Sequence, residues 1–204
     1  PLPTVVLPLT NSDITSARKT LELRGSPVVL VVGSHEPRKN HLTVIEAAER
    51  LWKRGLSFEL LMIGGGGWSE QQFNRYVRQL LNEGRPINVR KRISEVELWA
   101  AYRIARFSVF PSLIEGFGLP VAESLASGTP VITSNHGSMA EIAGGGGALL
   151  VDSRNVTDLE EQMRRLLNDD DLLERLRREA RARDMGNWEN YSRDVWQFFL
   201  GDSE

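Results

Sequence analysis

Val28-Val29-Leu30-Val31-Val32-Gly33 is the stretch that decides the fold. It is apolar on both faces and rich in β-branched residues, the pattern of a central parallel strand covered by helices on both sides. A polar loop, Ser34 to Asn40, follows it. Leu42, Ile45, Ala48, Leu51 and Trp52 then recur at helical spacing, and a second apolar run, Phe58 to Ile63, comes directly after. This is strand, helix, strand: one βαβ unit.

The same rhythm continues along the chain. Gly64 to Gly67 break the second run, and Glu70 to Asn82 place Phe73, Val77, Leu80 and Leu81 on one helical face before Gly84 and Pro86. Ile87 to Arg90 is a short strand, and Ser94 with Glu97 three residues on forms a capping box for the next helix. Phe107 to Phe110 is a strand, Pro120 to Ala126 a helix ended by Gly128, and Thr129 to Thr133 and Ala148 to Val151 complete about six strands. From Val156 the chain is helical, and its interleaved arginines and acidic residues over 164–183 read as a solvated helix face. Right-handed crossovers then give an α/β fold with a doubly wound, open, Rossmann-like parallel sheet.

Composition narrows the function. The chain has 204 residues, 41% hydrophobic, a formal net charge of −2 and no cysteine. Thiolate nucleophiles, disulfides and cysteine-bound metals are excluded, and a reducing cytosol is allowed. The near-neutral balance argues against nucleic-acid binding through bulk positive charge. No apolar run approaches the ~20 residues of a spanning helix. The start, Pro1-Leu2-Pro3-Thr4, resembles neither a signal peptide nor an initiator methionine, so an excised piece of a longer protein is expected.

In an open α/β sheet, ligands bind outside the carboxyl ends of the strands. The loop after the first strand carries Gly33 and, at the mouth of a helix, Arg38 and Lys39, where two cations and free backbone N–H groups suit a diphosphate. Taken alone, the pair also fits a solvated basic surface. His35 and Arg38 stand where a dinucleotide fingerprint needs glycine, which argues against a redox Rossmann protein. The glycine run 64–67 reads as a plain turn or a close-approach loop. In the loop after the fourth strand, Glu115 and Glu123 flank Gly116-Phe117-Gly118-Leu119 and a helix start. Glycines admit a ligand to the backbone, the helix end attracts an anion, and the two carboxylates can accept bonds from hydroxyl groups on either side of it. A sugar joined to a nucleotide has that shape.

The run EGFGLPVAESLASGTPVI over 115–132, with PRKN at 37–40, resembles the nucleotide-sugar-binding half of retaining GT-B glycosyltransferases of the family 4 type. The likeness spans nearly the whole chain, from the linker-like Thr4-Val5-Val6-Leu7-Pro8 to the helix at Trp188. It implies that Arg38 and Lys39 bind the donor diphosphate and stabilise the leaving nucleotide, and that Glu115 positions the donor sugar. Gly116, Phe117, Gly118 and Leu119 would offer backbone N–H groups to sugar and phosphate. Glu123 would hold the ribose, and the loop Arg90 to Ile93 would meet the nucleobase. No nucleophile is evident. No cofactor or metal is expected, His35, His41 and His136 being scattered.

The implied division is a lead-in and interdomain linker over 1–26, a Rossmann-like nucleotide-sugar-binding domain over 27–184 and a C-terminal helix over 185–204. The implied function is the donor half of a hexosyltransferase, with GDP-mannose favoured over a UDP-sugar as donor. Its acceptor, a glycan or lipid-linked glycan, would be bound by an amino-terminal half. That half would also be needed for turnover, so the isolated chain is expected to be inactive. The alternative is a non-catalytic nucleotide-sugar-binding module. A cytoplasmic protein is expected, with the inner face of a membrane as a second setting for the full-length chain. Trp188, Trp196, Phe198 and Phe199 read as packing anchors.

Overall fold

The computed structural model describes residues 4, 6–67, 70–184, 186 and 188–200. Val5 of the expected linker, the starting residues 1–3 and the side chain of Trp188 lie outside the described residues. Six strands run through the chain: β1 (Val28–Val32), β2 (Glu59–Ile63), β3 (Ile87–Arg90), β4 (Phe107–Phe110), β5 (Val131–Ser134) and β6 (Ala148–Val151). They form one sheet, all parallel, in the order β3-β2-β1-β4-β5-β6. The helices are α1 (Asn11–Thr20), α2 (His41–Lys53), α3 (Glu70–Asn82), α4 (Glu95–Ile104), α5 (Leu119–Ala126), α6 (Gly137–Ala143), α7 (Val156–Asn168), α8 (Asp170–Arg181) and α9 (Trp188–Leu200).

The doubly apolar reading of β1 has a direct structural counterpart. Val29 and Val31 point into one core cluster with α2, α3, α7 and α8, while Val28 and Leu30 point into a second with α1 and α4. β2 alternates in the same way, Leu60 and Met62 to one side and Leu61 and Ile63 to the other. Side chains alternate across a strand, so a run with no polar face needs helices on both. The capping box is also present: Ser94 Oγ accepts from Glu97 N at 3.2 Å, and Ser94 N donates to Glu97 Oε2 at 2.7 Å.

Four features depart from the pattern. Inside the segment assigned to a linker and lead-in, Asn11–Thr20 form α1, opened by a capping box between Thr10 and Asp13, and Ala17 and Leu21 are buried against α4 and the sheet. Its apolar positions are too sparse to announce a helix. The seven-residue α6 begins at a glycine and is too short to show a period. β5 starts at Val131 instead of Thr129, because Thr129 closes the end of α5: its Oγ1 donates to Tyr102 O at 2.7 Å and its N to Ser124 O at 2.9 Å. Finally, Trp196, Phe198 and Phe199 are 66%, 74% and 75% exposed on α9. Among the described residues they join none of the buried core clusters, which corrects the reading of them as packing anchors of this domain.

Candidate functional site

The strand order reverses between β1 and β4, and the crossovers leaving those two strands part to opposite faces of the sheet. The crevice at their carboxyl ends lies between the loop 33–40 and the loop 111–118. A short 3-10 turn, Pro37–Lys39, leads to Asn40, which takes the left-handed conformation at φ 59° and starts α2. Asparagine tolerates that region better than most side chains. Its Nδ2 donates to Pro111 O at 3.2 Å and Ser153 O at 2.6 Å. Leu113 N donates to Arg38 O at 2.7 Å, and Ser112 Oγ lies 2.7 Å from the same oxygen. The two loops are therefore stitched together through backbone and short polar side chains.

This stitching brings Arg38, Lys39 and Glu115 into one cluster. Lys39 Nζ lies 2.7 Å from Glu115 Oε1, and Arg38 Nη1 lies 2.8 Å from Glu115 Oε2. Ser112 Oγ donates to Glu115 Oε1 at 2.7 Å, and Glu36 takes the Arg38 Nε at 2.7 Å. Lys39 also sits over the Phe110 ring, 4.9 Å from its centroid, a cation–π contact. Burial opposes ionisation of Glu115. The Lys39 and Ser112 hydrogen bonds and the two nearby cations outweigh it, and hold the carboxyl below its usual range. The Arg38 guanidinium is held above its usual value, first by the bond to Glu36.

Past Glu115 the chain turns through exposed Gly116 and half-buried Phe117 to Gly118, whose φ of 97° suits only glycine. Gly118 is the N-cap of α5 and supplies no side-chain cap; Pro120 has no N–H and Val121 N donates to Gly118 O at 2.9 Å, so the N–H that the helix start offers is that of Leu119. Leu119 opens the helix and is exposed. Glu123 lies inside α5, and its Oε2 accepts from Tyr102 Oη at 2.8 Å. Burial raises the Glu123 carboxyl, partly offset by that bond. Ile93 packs its side chain against the core cluster around α4.

Several residues with a part in this arrangement carry no motif. Ser112 and Tyr102 are single hydroxyl residues in apolar or loop context, and only folding brings each to a glutamate. Ser138, in the first turn of α6, places its Oγ 3.4 Å from Glu115 O, and His136 Nε2 lies 3.2 Å from Leu113 O.

The glycine run is a close-approach loop. A Cβ on Gly64 would stand 2.0 Å from Gly33 O, and one on Gly67 would stand 2.2 Å from His35 O. Beside it, buried His35 stacks on Phe73 with centroids 3.8 Å apart and meets buried His41 edge-on. Burial lowers both imidazoles, His41 to about 3. Among the described residues, no three His, Asp or Glu side chains are grouped to hold a metal ion, and no helix is long and apolar enough to cross a membrane.

Comparison with known proteins adds the family. The Glycosyl transferases group 1 family matches residues 13–183. The chain is 29% identical over 165 residues to the O-antigen chain mannosyltransferase B of Escherichia coli, covering 80% of this chain and 43% of that protein. It is 31% identical to the D-inositol 3-phosphate glycosyltransferase of Nocardia farcinica, covering 91% and 45%. Its fold superposes on sucrose-phosphate synthase from Thermosynechococcus elongatus with a TM-score of 0.77 at 27% identity, over 95% of this chain and 52% of that one. The chain thus spans about half the length of these relatives.

Proposed function

The chain belongs to the Glycosyl transferases group 1 family, with the architecture of one GT-B half, and on that premise we propose that it is the donor-binding half of a retaining glycosyltransferase. It would transfer a hexose, mannose in our reading, from a nucleotide-sugar such as GDP-mannose to a glycan or glycolipid acceptor. The mannosyltransferase among its relatives supports that donor. The observation that carries the reading is the Arg38–Lys39–Glu115 cluster at the point where the strand order reverses.

Breaking a sugar–phosphate bond builds negative charge on the departing diphosphate. Arg38 and Lys39, preorganised by their ties to the 111–115 loop, oppose that charge together with the Leu119 N–H at the start of α5. In this proposal the diphosphate displaces Glu115 as their counter-ion, since it offers more charge and more acceptor oxygens than one carboxylate. Glu115 then accepts from sugar hydroxyls and positions the donor. Glu123 takes the ribose, and the backbone near Ile93 meets the base. Gly33 and Gly64, in backbone contact, form the floor under the diphosphate. The acceptor is bound by a partner half of the same protein, against which the exposed aromatic residues of α9 would pack.

Calorimetry with GDP, UDP and ADP and their sugars tests the site. Lys39→Ala and Glu123→Ala are each expected to weaken the preferred nucleotide about tenfold or more. If neither does, the reading fails. Joining an amino-terminal half and assaying a donor panel separates transfer from simple binding.

A further inference from the structure

A cleft of about 560 Å³ opens on the opposite side of the molecule, lined by Arg103, Ser127, Gly128, Arg177, Arg181 and Arg183 among others. Ala105 and Thr129, which also line it, immediately precede β4 and β5, so the cleft lies at the amino ends of those strands. The Arg38–Glu115 cluster lies at their carboxyl ends. The four-residue β4 alone separates the two places by roughly 13 Å at 3.3 Å per residue.

The cleft is built, and its charge is unbalanced. A Cβ on Gly128 would come within 2.9 Å of Arg181 Cγ, and one on Gly145 within 2.9 Å of Arg183 Cζ. Both arginines therefore pack closely against the backbone at these glycines. Arg183 Nη1 is further fixed by donating to Gly146 O at 3.1 Å. Glu174 is 3.9 Å from both Arg177 Nη1 and Arg181 Nη1, too far for a hydrogen bond. Arg103 and Arg183 pair with no carboxylate among the described residues. Burial lowers the guanidinium pKa of Arg183, and burial together with the neighbouring Arg106 and Arg181 lowers that of Arg177 against the opposing effects of Glu174 and Asp170. The buried Ser127 Oγ has no hydrogen-bond partner among the described residues.

A plain structural account falls short of this charge. α4, α5 and α8 end at Ile104, Ala126 and Arg181, so three carboxyl-terminal helix ends face the cleft. Each carries about half an elementary negative charge, and with Glu174 they leave the four guanidinium groups in excess. Guanidinium forks match phosphate oxygens two at a time, and the volume exceeds that of a single phosphate ion several-fold.

We propose that this cleft is a second anion site, remote from the donor crevice, which binds a phosphate-bearing group with two or more negative charges. Arg177 and Arg183 form its floor, Arg103 and Arg181 close over the ligand from the rim, and Ser127 lines its wall. The same chemistry is offered by a soluble diphosphate and by a phospholipid headgroup.

The test uses the full chain carrying Lys39→Ala, which weakens the donor crevice, titrated with pyrophosphate at low salt by calorimetry. A parallel arm measures co-sedimentation with phosphatidylcholine vesicles with and without phosphatidylglycerol. Arg103→Gln with Arg181→Gln, both exposed and so compatible with folding, is expected to weaken binding about tenfold or more. Ser127→Asp, placing a carboxylate in the cleft, is expected to do the same. Pyrophosphate binding that these variants weaken identifies a soluble ligand, and vesicle binding that they abolish identifies a headgroup. Either supports the site. Failure of both probes to bind, or binding indifferent to both variants, overturns it.

Discussion

Lys39 and Glu115, contributed by the loops after β1 and β4, stand 2.7 Å apart, with both side chains close to one-tenth exposed, at 11% and 8%. The contact closes the crevice where the sheet changes direction. It also withdraws Lys39 from solvent and matches its charge from across the fold, whereas the Arg38 side chain stays 41% exposed.

Removing Lys39 separates its two roles. Lys39→Ala leaves Glu115 with Arg38 and Ser112 as partners, so the stability loss is expected to be about 1–2 kcal/mol, below that of a fully buried pair left with no compensation. Urea unfolding measures that loss, and nucleotide affinity in the same protein measures the other role. A larger stability loss with unchanged affinity would assign Lys39 to the scaffold alone.

Acid should weaken the fold through His41. Its ring titrates at about 3 in the folded chain, because burial and then the nearby His35 and Lys39 disfavour the charged form against a smaller opposing effect of Glu36. The unfolded ring titrates near 6.5, so between those values the unfolded chain binds the extra proton. Stability is full above about pH 6.5 and falls with pH towards 3, with a loss on the order of 2 kcal/mol by pH 5 from this group. His35 adds to the loss with the same sign. Denaturation midpoints at pH 7 and pH 5 should differ less in His41→Leu than in the parent chain.

Two glycines near the crevice should respond in opposite ways. Gly64→Ala drives a Cβ to 2.0 Å from the Gly33 carbonyl oxygen at a φ of 141°, and backbone cannot yield there as a flexible side chain would. A loss of about 3 kcal/mol or more is expected. At Gly116 nothing lies within 4 Å of a Cβ, so Gly116→Ala should change stability by about 0.5 kcal/mol or less. Any loss of nucleotide binding in Gly116→Ala then reports approach of ligand to the backbone.

Tyr102→Phe should act on Glu123 at a distance from any ligand. The phenol stabilises the carboxylate against burial, so its removal pushes the Glu123 carboxyl further up. We expect about 1 kcal/mol less stability and a nucleotide-binding profile whose acid limb moves to higher pH. An unmoved profile would detach Glu123 from binding.

The strands and most helices were legible because period and punctuation are local. A doubly apolar β1, the Ser94–Glu97 box and the Pro120 helix start each depend on neighbours a few residues away. α1 and α6 escaped notice for the same reason: one has too few apolar positions and the other too few residues, so the fold and not the period holds them. Of the site, the residue types were readable and their partners were not. Arg38, Lys39, Glu115 and Glu123 stood out by spacing, whereas Ser112 and Tyr102 became relevant only once β4 lay beside β1 and α4 beside α5. The exposure of Trp196, Phe198 and Phe199, and the meeting of four arginines around one cleft, likewise belong to tertiary structure. Backbone preference and side-chain period are written along the chain, but burial, charge balance and contact depend on which distant segments the assembled sheet sets face to face.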